Sequence, residues 1–514
     1  KRRDGTRVLP SPALTPLAFF GVCGYTMIIN LRKDTENMSV LSNLEPKAVF
    51  TFFEELCAIP HGSGHTKAIS DYLATFGRAR GLETHQDAAN NVIIKAPGTP
   101  GYEQSAPVIV QGHMDMVCAK APDCAKDMER EGLELAVEGD TVLARGTSLG
   151  GDDGIAVAMA LALLDAKDLP HPPIEAVFTV DEEIGLLGAA ALDVSHLRGR
   201  RLINIDSEEE GVFTVGCAGG ATARCVLPVT RTACAGHAMT VTVSGLRGGH
   251  SGSEIHKGRG NASILLGRIL NRAGDIRLVS ADGGMFDNAI MREVSATVIT
   301  GDPDSLQALC AQMDADFRGE LRATDPDVAV TCVPCREVPD LSMDGESTRR
   351  CVCLLTCVPN GVQVMSADMP GLVQTSLNLG ILATGRNSME VSFSVRSSVE
   401  SQKNMLLDRL ECLTAQLGGS VDVTGNYPGW EYAPESPLRE LMVEVYREQY
   451  GREPEVGAIH AGLECGLFAG KIPGLDSVSF GPDLSDVHTC HERLHIASTQ
   501  RTWKLLCEVL RRMK

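Results

Sequence analysis

Apolar positions in the first half of the chain alternate between helical and strand-like spacing. From residue 44 onward, side chains of one face recur at helical spacing and predict an amphipathic helix: Val49, Phe50, Phe52, Phe53, Leu56 and Cys57. Strands are predicted at 90–94, 107–110, 174–180 and 202–205, with an apolar helix at 156–164. This alternation predicts an α/β fold with a mostly parallel sheet, because parallel strands are usually joined by helical crossovers.

The pattern changes between about residues 221 and 424. Strand-like runs alternate there with longer helical runs, the strands at 239–243, 294–299, 328–333 and 389–395 and the helices at 262–271, 306–318 and 403–417. Beyond the Tyr-Pro-Gly-Trp sequence at 427–430, helices and short strands resume and end in a helix at 498–513. We therefore predict one domain in two parts, 38–220 and 425–514, interrupted by an α+β second domain at 221–424.

Residues 1–37 fit neither domain. They begin with basic residues, followed by an apolar stretch at 14–29 and a second basic group. A signal peptide or a membrane anchor is one interpretation, but Pro16, Gly21 and Gly24 interrupt the stretch. The stretch is also shorter than the ~20 residues that a membrane span needs. We expect a non-native or disordered extension, with the first domain beginning at Met38.

The chain is acidic, with 47 Lys and Arg residues against 66 Asp and Glu residues and a net charge of −19. A nucleic-acid partner or an anionic membrane surface is therefore not expected, because both attract cationic proteins. The 17 cysteines are scattered, and Cys332 and Cys335 form the only CxxC motif, which is weak evidence for zinc or redox chemistry. Scattered free thiols are typical of a reducing compartment, so we expect a cytoplasmic location.

Polar residues follow three of the predicted strands at the point where each strand ends. His113 and Asp115 come after the second strand, Glu182 and Glu183 after the third, and Asp206 after the fourth. Ligand sites of parallel α/β sheets lie beyond the carboxyl ends of the strands, so these side chains are expected at one edge. Imidazole and carboxylate ligands without thiolate suit a catalytic zinc, manganese or cobalt ion.

Asp152 and Asp153 add two carboxylates, in a Gly-Gly-Asp-Asp-Gly turn that precedes the apolar helix. Glycine permits the tight backbone geometry that such a turn needs. Taken singly, an HxD sequence is usually a local polar pair, Glu-Glu a solvated face and Asp-Asp-Gly a surface turn. Only their common placement at one sheet edge favours a metal site over these ordinary interpretations.

Eight segments in fixed order carry a more specific signal: Gln-Gly-His-Met-Asp-Met-Val at 111–117, Gly-Thr-Ser-Leu-Gly-Gly-Asp-Asp-Gly-Ile at 146–155, Asp-Glu-Glu at 181–183, Asn-Ile-Asp-Ser-Glu-Glu-Glu-Gly at 204–211, Gly-Gly-His-Ser-Gly at 248–252, Asn-Ala-Ile at 288–290, Tyr-Pro-Gly-Trp at 427–430 and His-Ala-Gly-Leu-Glu-Cys-Gly at 460–466. Together they resemble the aminoacyl-histidine dipeptidases (peptidase D, Xaa-His dipeptidases), a subfamily of the carnosinase-like di-zinc metallopeptidases. The resemblance covers the chain from Met38 to its end. It implies a zinc-peptidase catalytic domain that is interrupted by a lid domain.

The resemblance also implies a ligand set for two zinc ions, with Co²⁺ or Mn²⁺ as alternatives. His113 and Asp206 would bind one ion, and Glu183 and His488 would bind the other. Asp152 would bridge the two ions. The peptide bond that follows the bridging aspartate is expected to be cis.

Further residues receive catalytic and substrate-binding roles from the same resemblance. Asp115 would orient His113 through its second ring nitrogen, and Glu182 would be the general base for a zinc-bound hydroxide. His250, from the lid domain, would stabilise the developing oxyanion, although its loop is also readable as an ordinary polar loop. Asn288 and Arg396 would hold the substrate's carbonyl or carboxylate, with a surface salt bridge as the alternative for the arginine.

One segment departs from the family pattern. The last metal ligand of the family usually lies in a Pro-His-Ser-Pro-Asp-Glu context, whereas this chain has Val-His-Thr-Cys-His-Glu at 487–492. Both prolines are lost, and His491 and His495 are nearby competitors for the ligand position. We favour His488 because its place between the Ser-Phe-Gly-Pro and Leu-His-Ile sequences matches the pattern best.

These observations predict a metallodipeptidase that hydrolyses Xaa-His dipeptides such as β-Ala-His. An N-acyl amino acid deacylase and a tripeptidase are alternatives that keep the same site. A non-catalytic metal-binding protein is a third alternative, but the glutamate at the general-base position argues against it. A dipeptide is the expected partner, no membrane partner is expected, and a homodimer is left open as the assembly.

Overall fold

The computed structural model describes residues 39–337 and 339–514, so the expectation for residues 1–37 lies outside the described part of the chain. The α-helices are α1 (Lys47–Cys57), α2 (Lys67–Ala79), α3 (Gly151–Asp165), α4 (Leu187–Ala191), α5 (Ala262–Arg272), α6 (Pro303–Glu320), α7 (Gly345–Cys357), α8 (Glu400–Gln416), α9 (Pro437–Tyr450), α10 (Glu464–Lys471) and α11 (Ile496–Arg512). Short 3₁₀ turns lie at Val194–His196 and Ile255–Lys257.

The strands are β1 (Glu83–Gln86), β2 (Val92–Ala96), β3 (Val108–His113), β4 (Leu135–Glu138), β5 (Thr141–Ala144), β6 (Ile174–Thr179), β7 (Arg201–Asn204), β8 (Val212–Cys217), β9 (Gly219–Pro228), β10 (Arg231–Ala233), β11 (His237–Ser244), β12 (Gly249–His250), β13 (Ile276–Gly283), β14 (Ala289–Ile290), β15 (Val294–Thr300), β16 (Ala329–Pro334), β17 (Leu341–Met343), β18 (Gly361–Met365), β19 (Val373–Thr384), β20 (Ser388–Ser397), β21 (Ser420–Tyr427), β22 (Glu455–Ile459), β23 (Asp476–Ser479), β24 (Leu484–Ser485) and β25 (Arg493–His495).

The first large sheet has eight strands in the order β1-β2-β6-β3-β7-β23-β8-β22. Its central strands β6, β3, β7 and β23 run parallel, whereas β1 and β2 form an antiparallel edge. Strands β3 and β6 are buried along their whole length, as expected for strands that helices cover on both faces. The predicted α/β fold with a mostly parallel sheet is therefore confirmed.

Helix α3 is apolar on nearly every side because it packs between strand β3 and helix α1. The predicted amphipathic face of α1 is confirmed, since all six of its predicted apolar residues are buried. At the contact of the two helices, a Cβ added to Gly154 would lie 3.3 Å from Cε2 of Phe53. The glycine therefore permits a close approach of the two helices.

The second large sheet has nine strands, in the order β16-β11-β15-β13-β19-β20-β9-β21 with β18 beside β19. Every pairing in it is antiparallel, and helices α5 to α8 complete its hydrophobic core. The α+β character predicted for this part of the chain is confirmed. Strands β9, β13 and β19 were not predicted, because polar residues alternate with apolar ones along them and weaken the apolar signal.

The second sheet begins at Gly219 and ends at Tyr427, and the first sheet takes its strands from both sides of that range. We propose that the two sheets mark the predicted domains 38–220 with 425–514 and 221–424. The two chain crossings, the segments in which the chain passes from one sheet to the other, lie side by side. The N–H of Cys217 donates to the carbonyl of Trp430 at 2.9 Å, and the N–H of Trp430 donates to the carbonyl of Cys217 at 3.0 Å. A Cβ on Gly219 would lie 2.4 Å from the backbone nitrogen of Gly429, so the crossings pack too closely for a side chain there.

A small sheet in the order β24-β25-β5-β4 lies at the edge of the first domain. Strands β24 and β25 form a hairpin, and β25 also pairs with β5. Strand β5 leads into the Gly-Gly-Asp-Asp-Gly turn, and the hairpin loop contains His488. This small sheet therefore brings together two segments that are far apart in the sequence.

Within the described ranges, none of the helices combines the length and the apolar character that crossing a bilayer requires. The CxxC motif forms no metal cluster there: Cys332 and Cys335 are free thiols, and Sγ of Cys335 lies 3.0 Å from Oγ1 of Thr240.

Replacing Phe53 by alanine should lower the free energy of unfolding by about 3–5 kcal/mol, because a fully buried aromatic ring would leave a cavity between α1 and α3. Phe286→Ala is the matched control, since this ring is 61% exposed and its loss should cost less than about 0.5 kcal/mol. Urea unfolding followed by circular dichroism would measure both variants. Equal transition midpoints for the two variants would contradict the packing described above.

Candidate active site

The predicted polar residues lie at the carboxyl edge of the first sheet. His113 is the last residue of β3, Asp206 lies two residues beyond β7, and Glu182 and Glu183 follow β6. Because β3, β6 and β7 run parallel, their carboxyl ends deliver these side chains to one place.

His113 is buried and faces two carboxylates. Its Nε2 atom lies 3.0 Å from Oδ1 of Asp152 and 3.8 Å from Oδ1 of Asp206. Its Nδ1 atom lies 3.0 Å from the backbone carbonyl of Asp115. A carbonyl can only accept, so Nδ1 carries the proton and Nε2 is left to face the carboxylates as a ligand atom.

His488 lies against the other side of the same aspartate. Its Nε2 atom is 2.8 Å from Oε1 of Glu183 and 3.2 Å from Oδ2 of Asp152. The clusters that could hold a metal in the described residues include His488, and they include neither His491 nor His495. Asp152 therefore offers one carboxylate oxygen to each histidine.

Asp152 reaches this position through an irregular start of helix α3. Its backbone angles are φ −84° and ψ 102°, outside the helical range, and the Asp152–Asp153 peptide bond is cis. Gly150 adopts φ 67°, and a Cβ there would lie 2.9 Å from Sδ of Met116. The glycine is therefore required at the turn that aims Asp152 at the two histidines.

Asp115 holds several parts of the site together. Its side chain is buried, accepts from the hydroxyl of Ser63 at 2.8 Å and lies with Oδ1 3.5 Å from Nδ1 of His113. It also accepts from the backbone N–H groups of Glu182 at 3.0 Å and Glu183 at 3.4 Å. One carboxylate thus orients the loop after β3 relative to the loop after β6.

Asp153 departs from the predicted arrangement. The group of side chains near His113 and Asp206 that could hold a metal ion contains Asp153 and not Asp152. Its Oδ2 atom already accepts the backbone N–H of His113 at 3.2 Å, and burial raises its pKa well above the ordinary value. These contacts favour a structural role for Asp153.

The site brings several buried carboxylates close together. Burial, and after it the charges of nearby carboxylates, raises the pKa of Glu182 to about 8 and that of Asp206 well above its ordinary value. Oδ2 of Asp206 is buried without a hydrogen-bond partner among the described residues. Buried carboxylates without partners are costly unless a cation compensates them, so this donor set fits bound divalent cations.

The predicted substrate-binding residues lie within the range 221–424, at a two-stranded sheet of β12 and β14 and on strand β20 of the second large sheet. His250 on β12 pairs with Ala289 on β14, and the carbonyl of Asn288 accepts the N–H of Ser251 at 2.8 Å. Arg396 on β20 is buried, and Nε of its guanidinium has no partner among the described residues. Burial, and after it the positive charge of this arginine, lowers the pKa of His250.

No hydrogen bond or ion pair in the described part of the chain joins His250, Asn288 or Arg396 to the cluster around Asp152. The charges of both Arg396 and Glu182 act on the pKa of Tyr427.

Two polar residues near the site received no role from the sequence. His460 is buried, with Nε2 2.7 Å from Oγ of Ser376, and burial followed by the charge of Arg396 lowers its pKa to about 3. Glu464 accepts from Gln111 and from Thr179, each at 2.6 Å, and burial raises its pKa to about 7. Both lie in the segment at 460–466 that resembles the family. A histidine and a glutamate among small and apolar residues there were the signal in the sequence that could have identified them.

The chain is similar to known peptidases. The model of Peptidase family M20/M25/M40 matches residues 109–512. The chain is 37% identical to the cytosol non-specific dipeptidase of Escherichia coli (strain K12), over 92% of this chain and 99% of that protein.

Solved structures show the same fold. The crystal structure of aminoacylhistidine dipeptidase from Vibrio alginolyticus has a TM-score of 0.85 at 36% identity and covers 93% of this chain and 98% of that one. The aminopeptidase PepT from Bacillus cereus has a TM-score of 0.54 at 16% identity, covers 91% of this chain and 99% of that one, and is similar in fold alone.

His488→Ala should weaken metal binding by more than about 100-fold, because even partners of metal ligands typically contribute 10- to 100-fold. His491→Ala is the matched control, since this exposed side chain lies outside every candidate cluster of the described residues. Zinc titration against a chromophoric chelator would measure the affinities. Loss of affinity in the His491 variant, with none in the His488 variant, would reverse the assignment.

Proposed function

The chain belongs to peptidase family M20/M25/M40, and we propose that it is a metallodipeptidase with two metal ions at the carboxyl edge of its first sheet. One observation carries this proposal: Asp152 lies between His113 and His488 and offers one oxygen to each. A bridging carboxylate between two histidine-containing groups is the arrangement that a two-metal hydrolytic site requires.

The proposed ligands are His113 and Asp206 for one ion, Glu183 and His488 for the other, and Asp152 for both. Zn²⁺ is the proposed metal, with Co²⁺ or Mn²⁺ as alternatives, because imidazole and carboxylate donors suit all three. When bound, the ions supply Lewis-acid chemistry that activates water and polarises the peptide carbonyl.

Glu182 is the proposed general base. Its carboxylate belongs to the group with His113 and Glu183, and its backbone N–H is held by Asp115 at 3.0 Å. Burial raises its pKa to about 8, which suits a group that takes a proton from water and later returns it to the leaving amine. The positions of Asp115 and Ser63 keep this glutamate in place relative to His113.

Residues of the second domain are proposed to bind the substrate. Arg396 would hold the free carboxylate with its guanidinium, and the buried, unpartnered Nε atom supports this role. Asn288 would hold the carbonyl, and His250 would stabilise the oxyanion.

Xaa-His dipeptides such as β-Ala-His are the proposed substrates. One relative is a non-specific dipeptidase and another is an aminoacylhistidine dipeptidase, which supports a dipeptide over other peptides. A deacylase or a tripeptidase with the same site is the second candidate class. We also propose a cytoplasmic location, on the similarity to the cytosol dipeptidase, and a homodimer stays a prediction.

The protein should hydrolyse β-Ala-His and lose that activity with a chelator, because the proposed site needs bound metal.

Glu182→Gln should lower kcat by about 10²- to 10⁴-fold, the usual contribution of a general base, and should leave bound metal in place. Glu209→Gln, an exposed glutamate nearby, is the control. Activity on N-acetyl amino acids alone, or full activity of the Glu182 variant, would refute the proposed reaction.

Arg396→Gln should lower kcat/KM for a free dipeptide by about 10- to 100-fold, since a charge-assisted hydrogen bond typically contributes 1.5–3 kcal/mol. The loss should disappear with the C-terminal amide of the same dipeptide, which has no carboxylate to bind. Arg386→Gln, at an exposed position of the preceding turn, should behave as the unmodified protein. Equal losses for the acid and the amide would instead indicate a structural role for Arg396.

A further inference from the structure

Glu492 is a buried carboxylate that binds the turn containing Asp152. It is 3% exposed, and four consecutive backbone N–H groups donate to it. Oε2 accepts from Leu149 at 2.7 Å and from Gly150 at 3.0 Å. Oε1 accepts from Gly151 at 2.7 Å and from Asp152 at 3.3 Å. No other protein group is needed to satisfy this carboxylate.

The same glutamate closes the loop that contains His488. This loop joins β24 to β25, and Glu492 is its last residue before β25. Strand β25 pairs with β5, which leads into the turn before Asp152. The pairing brings the two segments near each other, and the carboxylate then fixes the loop to the turn.

Three features of the turn are adapted to this contact. The free N–H groups at the start of a helix favour a carboxylate, both as donors and through the helix dipole. Successive N–H groups in such a turn form a concave anion-binding surface. A Cβ added to Gly151 would lie 3.2 Å from Oε1 of Glu492 and 2.8 Å from Cδ2 of Leu484, so the glycine allows the close approach.

We infer that Glu492 is a positioning residue of the metal centre, which fixes the positions of the bridging Asp152 and of His488 relative to each other. These two ligands are 336 residues apart in the sequence, and their atoms lie 3.2 Å from each other. The carboxylate contacts the backbone of the first and ends the loop of the second. This inference rests on the proposed metal centre and adds a residue that touches neither metal nor substrate.

Glu175 provides a matched control. It is also 3% exposed and also accepts backbone N–H groups, from Arg198 at 2.9 Å and from Gly199 at 2.9 Å. It lies near the start of β6, at the opposite end of the strand from Glu182 and Glu183. Its loss therefore tests the effect of removing a buried carboxylate without disturbing the metal ligands.

The test compares Glu492→Gln with Glu175→Gln. An amide cannot accept with both ends, and its NH₂ group would face backbone donors. Both metal-free variants should unfold at a lower temperature than the unmodified protein. Only Glu492→Gln should also bind zinc more weakly, by about 10- to 100-fold in competition with a chelator, and change the visible absorption spectrum of the Co²⁺-loaded protein.

Glu492→Asp keeps the charge but is one methylene shorter, so zinc affinity should recover in part. This variant also carries the test if Glu492→Gln does not fold. Unchanged zinc affinity and an unchanged Co²⁺ spectrum in both Glu492 variants would overturn the inference, as would an equal loss of affinity in Glu175→Gln. If the unmodified protein bound neither Zn²⁺ nor Co²⁺, the proposed metal centre itself would fail.

Discussion

The organisation of this protein depends on one electrostatic constraint, a concentration of buried carboxylates at the end of a parallel sheet. The imidazole rings of His113 and His488 contact these carboxylates. Hydrogen bonds with Asp152 and Glu183 raise the pKa of His488 to about 10, and burial raises the pKa of Glu182 to about 8 and that of Asp206 well above its ordinary value. Such an excess of carboxylates is stable only if cations compensate it, and the ligand geometry suits divalent metals.

The surrounding structure supports this cluster by hydrogen bonds between loops. Asp115 joins the loop after β3 to the loop after β6, through the N–H groups of Glu182 and Glu183. Glu492 joins the His488 loop to the start of helix α3. Each of these carboxylates accepts hydrogen bonds from backbone N–H groups that the loops would otherwise leave unpaired. The same hydrogen bonds therefore satisfy the backbone and position the site.

The two domains contribute different parts of the proposed reaction. The proposed metal ligands and general base lie in the first domain, and Arg396, Asn288 and His250, proposed to bind the substrate, lie in the second. We therefore expect the metal ions and the substrate carboxylate to bind to different domains. The two chain segments that connect the domains are hydrogen-bonded to each other at Cys217 and Trp430.

Much of the fold and of the candidate site could be predicted from the sequence. Periodicity identified α1, α3, β3, β6 and β7, because elements that bury one or both faces need apolar residues at regular spacing. The carboxyl ends of those strands, together with the family-like segments, identified the proposed ligands. The order of segments already favoured His488 over His491, but only the tertiary structure shows its contact with Asp152 and the support that Glu492 and Ser63 give to the site. The reason is physical: periodicity reports which face of an element is buried, whereas a hydrogen bond between distant loops depends on the path of both backbones.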